Sequence, residues 1–414
     1  MCDNSLRSTL LLLAGLALLA TNPVGAQTST LPALTVTELD PSNDDLGSFG
    51  PPTGFGTAVG ISGTTAVVGL PLYALDDPTE SYAIELGKVA VYTQGSDGTW
   101  ARTASVIPVD RQPNELEFGE TVALANNILV VGSSFGVRVF VNRGGSWTQT
   151  ATLPETGAPE FAFDGHYLAF VAGASPSSGS SSSSAPTFLL YLYSVDPSGR
   201  PQLLGTLSPS NLYPGAIAAA NGILAVRGMD SSGNGFVYVY SENSATPTVP
   251  QVLSSGESTP DSSFGSSIAI WNQTILVGAP SAYVQPNDNT GGSFSGAAFV
   301  FARGAKGWAQ TQKIVPNDSA GFGTAVVVNQ AGALISAPYT DDRYATILGE
   351  TEIYVWQGNE LVLAESLSGG RSPTGTSMAL SSNAAIIGTW QDTRYGFYEY
   401  ADIVTVAPGG SASP

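Results

Sequence analysis

Residues 264–280 read FGSSIAIWNQTILVGAP. A short apolar run ends at Asn272-Gln273, and a second run ends at Gly278-Ala279-Pro280. Two runs rich in β-branched residues, split by a two-residue turn and closed by proline, describe a β-hairpin. The stretch returns as FGTAVGISGTTAVVGLP from Phe55, FGETVALANNILVVGSS from Phe118 and FGTAVVVNQAGALISAP from Phe322. Weaker copies are FAFDGHYLAFVAG from Phe161, GAIAAANGILAVRG from Gly215 and GTSMALSSNAAIIG from Gly375. The seven starts lie 43 to 63 residues apart, a period that indicates a propeller or solenoid. Turn residues that tolerate positive φ sit between the two runs, at Ser62-Gly63, Asn126-Asn127, Asp164-Gly165, Asn221-Gly222 and Ser382-Asn383.

Working outward, each hairpin is followed by a variable loop and a third strand in which aromatics alternate with aliphatics. These are KVAVY (88–92), VRVFV (137–141), FLLYLY (188–193), FVYVY (236–240), AAFVF (297–301), EIYVW (352–356) and GFYEY (396–400). A fourth, polar-alternating strand closes several units: WARTASV (100–106), WTQTATL (147–153) and WAQTQKI (308–314). That pattern suits a solvent-facing edge. Four antiparallel strands repeated seven times predict an all-β, seven-bladed propeller. ALTVTE (33–38) precedes the first copy and DIVTV (402–406) follows the last third strand. One of the two is expected to complete the final blade, so that both chain ends close the ring. The expected organisation is a signal peptide over 1–26, one propeller over 27–406 and a tail over 407–414.

FG at the start of one strand and GAP at the end of the next resemble FG-GAP repeats. Phe264-Gly265 with Gly278-Ala279-Pro280 is the cleanest copy, and Phe322-Gly323 with Ser336-Ala337-Pro338 and Phe55-Gly56 with Gly69-Leu70-Pro71 are close. That family includes the propeller of integrin α subunits and many secreted microbial proteins. The resemblance covers nearly the whole chain after residue 26. It implies a binding role on the propeller's loop face. It also implies calcium loops of the D-x-D-x-D-G type in some hairpins, but all seven hairpins here are too short to supply the 6–8 oxygens calcium needs. No cofactor and no metal site is expected, with adventitious calcium at the acidic loop clusters as the alternative.

The first residues describe a secretory leader: Arg7, an apolar run from Leu10 to Ala20, and small residues Val24-Gly25-Ala26 at a cleavage site. Cys2, the one cysteine, falls inside that leader, so the secreted chain is expected to have no disulfide. A formal charge of −19, from 33 acidic and 14 basic residues, opposes binding to nucleic acid or anionic membrane. No later stretch reaches the ~20 apolar residues of a membrane helix. The expected protein is extracellular and monomeric.

Loops between second and third strands share one face with the segments leading into each first strand, and binding residues tend to ride on such loops. The candidates there are Tyr73, Asp76, Tyr82, Tyr283, Asp288, Asp341, Arg343, Tyr344, Trp390 and Arg394. Aromatics beside Asp and Arg can stack on sugars or grip a protein loop; they can equally pack their own loops. Acidic pairs at Asp44-Asp45, Asp76-Asp77 and Asp341-Asp342 read as solvated loop residues. The serine-rich stretch from Pro176 to Pro186 reads as a flexible insertion. Asn272 and Asn317 begin N-glycosylation sequons.

His166 is the only histidine, so a histidine-based zinc site is excluded, and no nucleophile-elbow or P-loop motif occurs. The function expected is a non-enzymatic module that binds a protein or glycan in adhesion or recognition. The alternatives are a polysaccharide-degrading enzyme, which the scarcity of Lys and Arg opposes, and a structural matrix or envelope component.

Overall fold

The computed structural model describes residues 34–39, 41, 53–76, 83–110, 115–153, 160–173, 188–241, 250–257, 261, 263–284, 295–316, 319–340, 349–367, 375–382, 384–393 and 396–406. Among these there is no helix. Seven four-stranded antiparallel sheets account for the repeats. In each of the first six blades the strands run in chain order from the innermost outward, as in blade 5: Ser267–Trp271, Thr274–Ala279, Ala297–Gly304 and Gly307–Ile314. Each innermost strand contacts the innermost strands of both neighbouring blades, all the way round. The protein is a closed seven-bladed β-propeller.

Blade 7 settles which end closes the ring. Its inner strands are Ser377–Leu380, Ala384–Thr393 and Gly396–Val406, and its outermost strand is Leu34–Leu39 from the other end of the chain. Leu34 pairs with Val406 and Leu39 with Ala401. The 402–406 segment is therefore the far half of the third strand and not a strand of its own. Glu399 fastens the same junction: its carboxylate accepts the Gly54 N–H at 3.0 Å and the Thr53 hydroxyl at 3.1 Å.

The core is divided into seven layers, one between each pair of adjacent blades. This explains why inner strands are apolar on both sides. Along Thr65–Leu70, Val67 packs against blade 2 while Val68 packs against blade 7. A sheet covered on both faces has no solvent side to alternate with. The outermost strand does have one: Trp100–Val106 alternates half-buried and exposed residues until the buried Val106. In blades 1, 2, 3, 5 and 6 the register between third and fourth strands shifts midway, a repeated bulge that adds twist at the edge.

The FG and GAP halves of the motif meet each other across blade boundaries. Phe55, Phe118, Phe264 and Phe322 are fully buried, each in the layer shared with the preceding blade. The glycines that follow them have φ of 90°, 100°, 87° and 92°, a region open to glycine and costly for other residues. A Cβ on Gly278 of blade 5 would lie 2.0 Å from the carbonyl oxygen of Gly323 in blade 6. The same contact joins Gly69 to Gly119 at 2.0 Å and Gly388 to Gly56 at 2.2 Å. Ser267 and Ser377 donate hydroxyl hydrogen bonds to the Gly323 and Gly56 carbonyls at 2.8 and 2.9 Å. The motif thus encodes a backbone-on-backbone joint between blades.

Candidate functional site

Because every blade begins at the same end, the connections from one blade to the next and the loops between second and third strands lie on one face. The two classes of tight hairpin lie on the other. His166 belongs to the hairpin face, in the turn of blade 3, where Asp164 Oδ1 accepts its backbone N–H at 2.9 Å and its ring meets Tyr167 edge-on. Asn272 is exposed on the same face, at φ 50° in the Trp271–Thr274 turn. Asn317 lies outside the described residues.

The candidate loop residues do not form one described cluster. Tyr73 is half-buried and packs on the layer between blades 7 and 1, with the Lys88 Nζ 3.7 Å from its ring centre. Its carbonyl accepts the Leu86 and Gly87 N–H groups. Tyr73 fastens the base of its own loop. Asp76 belongs to a short ribbon above that base, where Ala74–Asp76 pairs with Ala83–Glu85. Tyr283 is partly buried in blade 5, and blades 1 and 5 are not neighbours. Trp390 lies on a hairpin extension of blade 7 paired with Glu399. Tyr82, Asp288, Asp341, Arg343, Tyr344 and Arg394 lie outside the described residues, as do Asp44-Asp45, Asp77, Asp342 and the serine stretch at 176–186.

What the described part of the face does contain is a cleft of about 400 Å³ at the end of blade 4, lined by its 230–236 and 252–257 segments and by Asp261 of the connection to blade 5. One wall is the Asp230–Asn234 turn, in which Asp230 Oδ1 accepts the Ser232 and Asn234 N–H groups at 2.8 and 2.9 Å. The Asn234 amide adds a bond to Oδ2 at 3.0 Å. These bonds, the Asn234 side chain's first, hold the Asp230 carboxyl below the usual carboxylate range. The other wall carries Ser254, Ser255 and Glu257, and Lys313 Nζ of blade 5 reaches Glu257 Oε1 at 2.9 Å. The Gly235 N–H donates to the Asp261 carbonyl at 2.9 Å and so ties the two blades together there. Asp261 Oδ1 accepts the Ser263 N–H and hydroxyl at 2.9 and 2.7 Å, and Ser263 Oγ in turn accepts the Ser281 N–H at 2.9 Å. The loop that carries Tyr283 is thereby joined to the cleft.

Blade 4 also departs from the repeat. By strand register Arg227 pairs with Val237 as Gly278 pairs with Ala298, so arginine stands where the motif has its joint glycine. Its side chain passes between Gly215 and Gly265. The segment leading into the blade bulges between Leu212 and Ile217, and Tyr213 there lies under the guanidinium at 5.4 Å.

A buried charge network holds the same face at blade 2. Arg138, fully buried, donates from Nη2 to Glu115 Oε2 at 2.7 Å, from Nη1 to Glu115 Oε1, and from Nε to Asp110 Oδ1 at 3.0 Å. Partial burial would raise the Asp110 pKa, but hydrogen bonds from Gln149, Thr152 and Arg138 outweigh it and bring it down to about 2. The network pins the Ile107–Asp110 segment, on which Ile107 and Val109 stand exposed. Nearby, burial first and then the charges of Glu117 and Glu160 push the Glu120 carboxyl up to about 7.

Sequence reasoning missed Asp230, Glu257 and Asp261, which look like ordinary loop residues. It also passed over a readable signal: Lys88, Arg138, Glu352, Glu399 and Asp402 interrupt apolar third strands, and all five are buried. Among the described residues no group of three or more His, Cys, Asp or Glu side chains is placed to hold a metal ion.

The fold is similar to a chain in the crystal structure of the mitotic checkpoint complex, with a TM-score of 0.53 and 14% identity over 94% of this chain and 95% of that one. At that identity the likeness concerns the propeller architecture alone. No protein-family model matches the chain, and no curated protein matches it.

Proposed function

We propose that this chain is a secreted, non-enzymatic binding module of the FG-GAP type, which recognises a protein or glycan through its loop face. The observation that carries the reading is the cleft at the loop-face end of blade 4. It is a concave, polar site on the one face whose loops vary, set on a scaffold held by seven buried layers between blades. Rigid β scaffolds that display variable loops are a recurrent way to build recognition surfaces. The leader at 1–26 and the acidic surface support an extracellular setting, and the FG-GAP spacing supports the kinship. That the similar propeller chain comes from a protein complex is consistent with a protein partner.

The test is a glycan array and a cell-surface binding screen with the mature chain, repeated with one reversed charge on each face. Asp230→Lys on the loop face is expected to abolish binding, whereas Asp196→Lys in a hairpin of the opposite face leaves it intact. Loss confined to the opposite-face variant, or the absence of any ligand, would refute the reading. One observation favours a second reading, a polysaccharide-cleaving enzyme: Glu120 and Glu160 lie close enough for one charge to raise the other's pKa. Turnover of a polysaccharide panel that Glu120→Gln abolishes would establish it.

A further inference from the structure

We propose that the cleft at the loop-face end of blade 4 is a docking subsite for a basic side chain, lysine or arginine, presented by a protein partner. The inference rests on the binding-module reading and names the chemistry of the ligand. Three carboxylates, Asp230, Glu257 and Asp261, line the cleft, and Lys313 is the cation bonded to one of them. Arg227 lies within electrostatic reach of Asp261. Asp261 carries the argument. It is more than nine-tenths buried, its Oδ1 is occupied by Ser263, and its Oδ2 is buried with no hydrogen-bond partner among the described residues. A buried carboxylate oxygen without a donor is costly, and a charged donor from a ligand would satisfy it.

The remaining features fit the same guest. Asp230 is locked by its own turn and stays ionised into the acid range. Phe236 lines the cleft and offers an aromatic surface to a guanidinium or ammonium group. The exposed Val252 at the rim, 53% accessible, can receive the aliphatic stem of a lysine or arginine. A chain of formal charge −19 draws a basic partner towards it and repels an acidic one. A neutral glycan would satisfy donors and acceptors in equal measure, whereas this cleft is dominated by acceptors.

The experiment titrates acetyl-Gly-Arg-Gly-amide and acetyl-Gly-Lys-Gly-amide into the mature chain by calorimetry, beside acetyl-Gly-Gln-Gly-amide and a neutral hexasaccharide. Binding of the two basic peptides alone is expected. Asp261→Asn and Glu257→Gln should each weaken it at least tenfold, and Asp196→Asn should leave it unchanged. Asp261→Asn keeps an oxygen for Ser263; if that variant does not fold, the exposed Glu257 decides the matter. Absence of peptide binding overturns the proposal. So does equal weakening by Asp196→Asn, which would mean that total charge is being read, and so does binding of the uncharged peptide or the sugar. If Val109→Glu, on the loop face of blade 2, blocks a ligand found by the wider screen while Asp261→Asn and Glu257→Gln do not, the binding-module reading stands and this inference fails.

Discussion

The joint between GAP and FG predicts a steric penalty at a glycine whose backbone angles would accept alanine. Gly278 lies in an ordinary strand conformation, yet its added Cβ would stand 2.0 Å from the Gly323 carbonyl oxygen and 2.2 Å from Ser267 Oγ. Ordinary contact begins at 3.4 Å, so blades 5 and 6 must part locally by about 1.4 Å. Overpacking of this kind costs ~1–3 kcal/mol. The separation also breaks the 2.8 Å Ser267–Gly323 hydrogen bond, worth about 1 kcal/mol. The expected loss for Gly278→Ala is therefore ~2–4 kcal/mol. Two controls separate the causes. Gly63 has φ 56° and open space around its Cβ position, so Gly63→Ala should cost only the ~1–2 kcal/mol of left-handed backbone. Gly205 has neither constraint, and Gly205→Ala should be neutral or stabilising by about 0.4–1 kcal/mol. Urea midpoints followed by tryptophan fluorescence would rank the three. If Gly278→Ala proves no worse than Gly205→Ala, the blades are not in contact through these glycines and the account of the motif is wrong.

Other perturbations have expected outcomes of the same kind. Glu115→Ala leaves the buried Arg138 guanidinium without its bidentate partner and should destabilise by about 3–5 kcal/mol, read as a lowered urea midpoint; a change below ~0.5 kcal/mol would show that the pair is dispensable. Glu120 has a folded pKa raised above its unfolded value, from 4.5 to about 7, so its charge opposes folding and stability should rise as pH falls through 7 towards 4.5. The shift corresponds to about 3 kcal/mol at most, and its partial exposure reduces this to ~1–2 kcal/mol. Glu120→Gln should raise the melting temperature at pH 7.5 and remove that part of the pH profile. Asp110, held at about 2, acts in the opposite sense: its contribution is present above the unfolded carboxylate pKa and is lost as pH falls towards 2, so Asp110→Asn should flatten the acid limb of the melting profile. Calcium and chelator should leave the melting temperature of the purified protein alike, since the hairpins are too short for a calcium loop; a calcium-dependent rise would mean that loop carboxylates bind it.

The blade count, the strand order and the closed ring were legible because every blade repeats the same physical problem. A hairpin must turn in two residues, its strands must be apolar on both faces, and its glycines must let the next blade approach. The turn and the two-sided apolar strands recur seven times in register, although Arg227 and Ser336 stand where other blades have the joint glycine, so weak copies such as the one from Gly215 could be read by their place in the rhythm. The interruption of third strands by Lys88, Arg138, Glu352, Glu399 and Asp402 was equally visible in the sequence; burial gave it meaning. The closing strand was narrowed to two segments, and the pairing of Leu34–Leu39 with the far half of Gly396–Val406 chose between them.

The site lay beyond the sequence for a physical reason. Blade pattern is local, set within some twenty consecutive residues by strand period and turn chemistry. The cleft is made by groups from two separate segments, the turn at Asp230 and the connection after Gln251–Leu253 that carries Glu257 and Asp261 towards the next blade. Their approach depends on how that connection folds back over the loop-face end of blade 4, where the Gly235 N–H donates to the Asp261 carbonyl. Sequence by itself determined a seven-bladed acidic propeller with one variable face. Only the tertiary structure decided which carboxylates on that face stand together, because the path of a connection over its blade is fixed by packing and hydrogen bonds between segments apart in sequence.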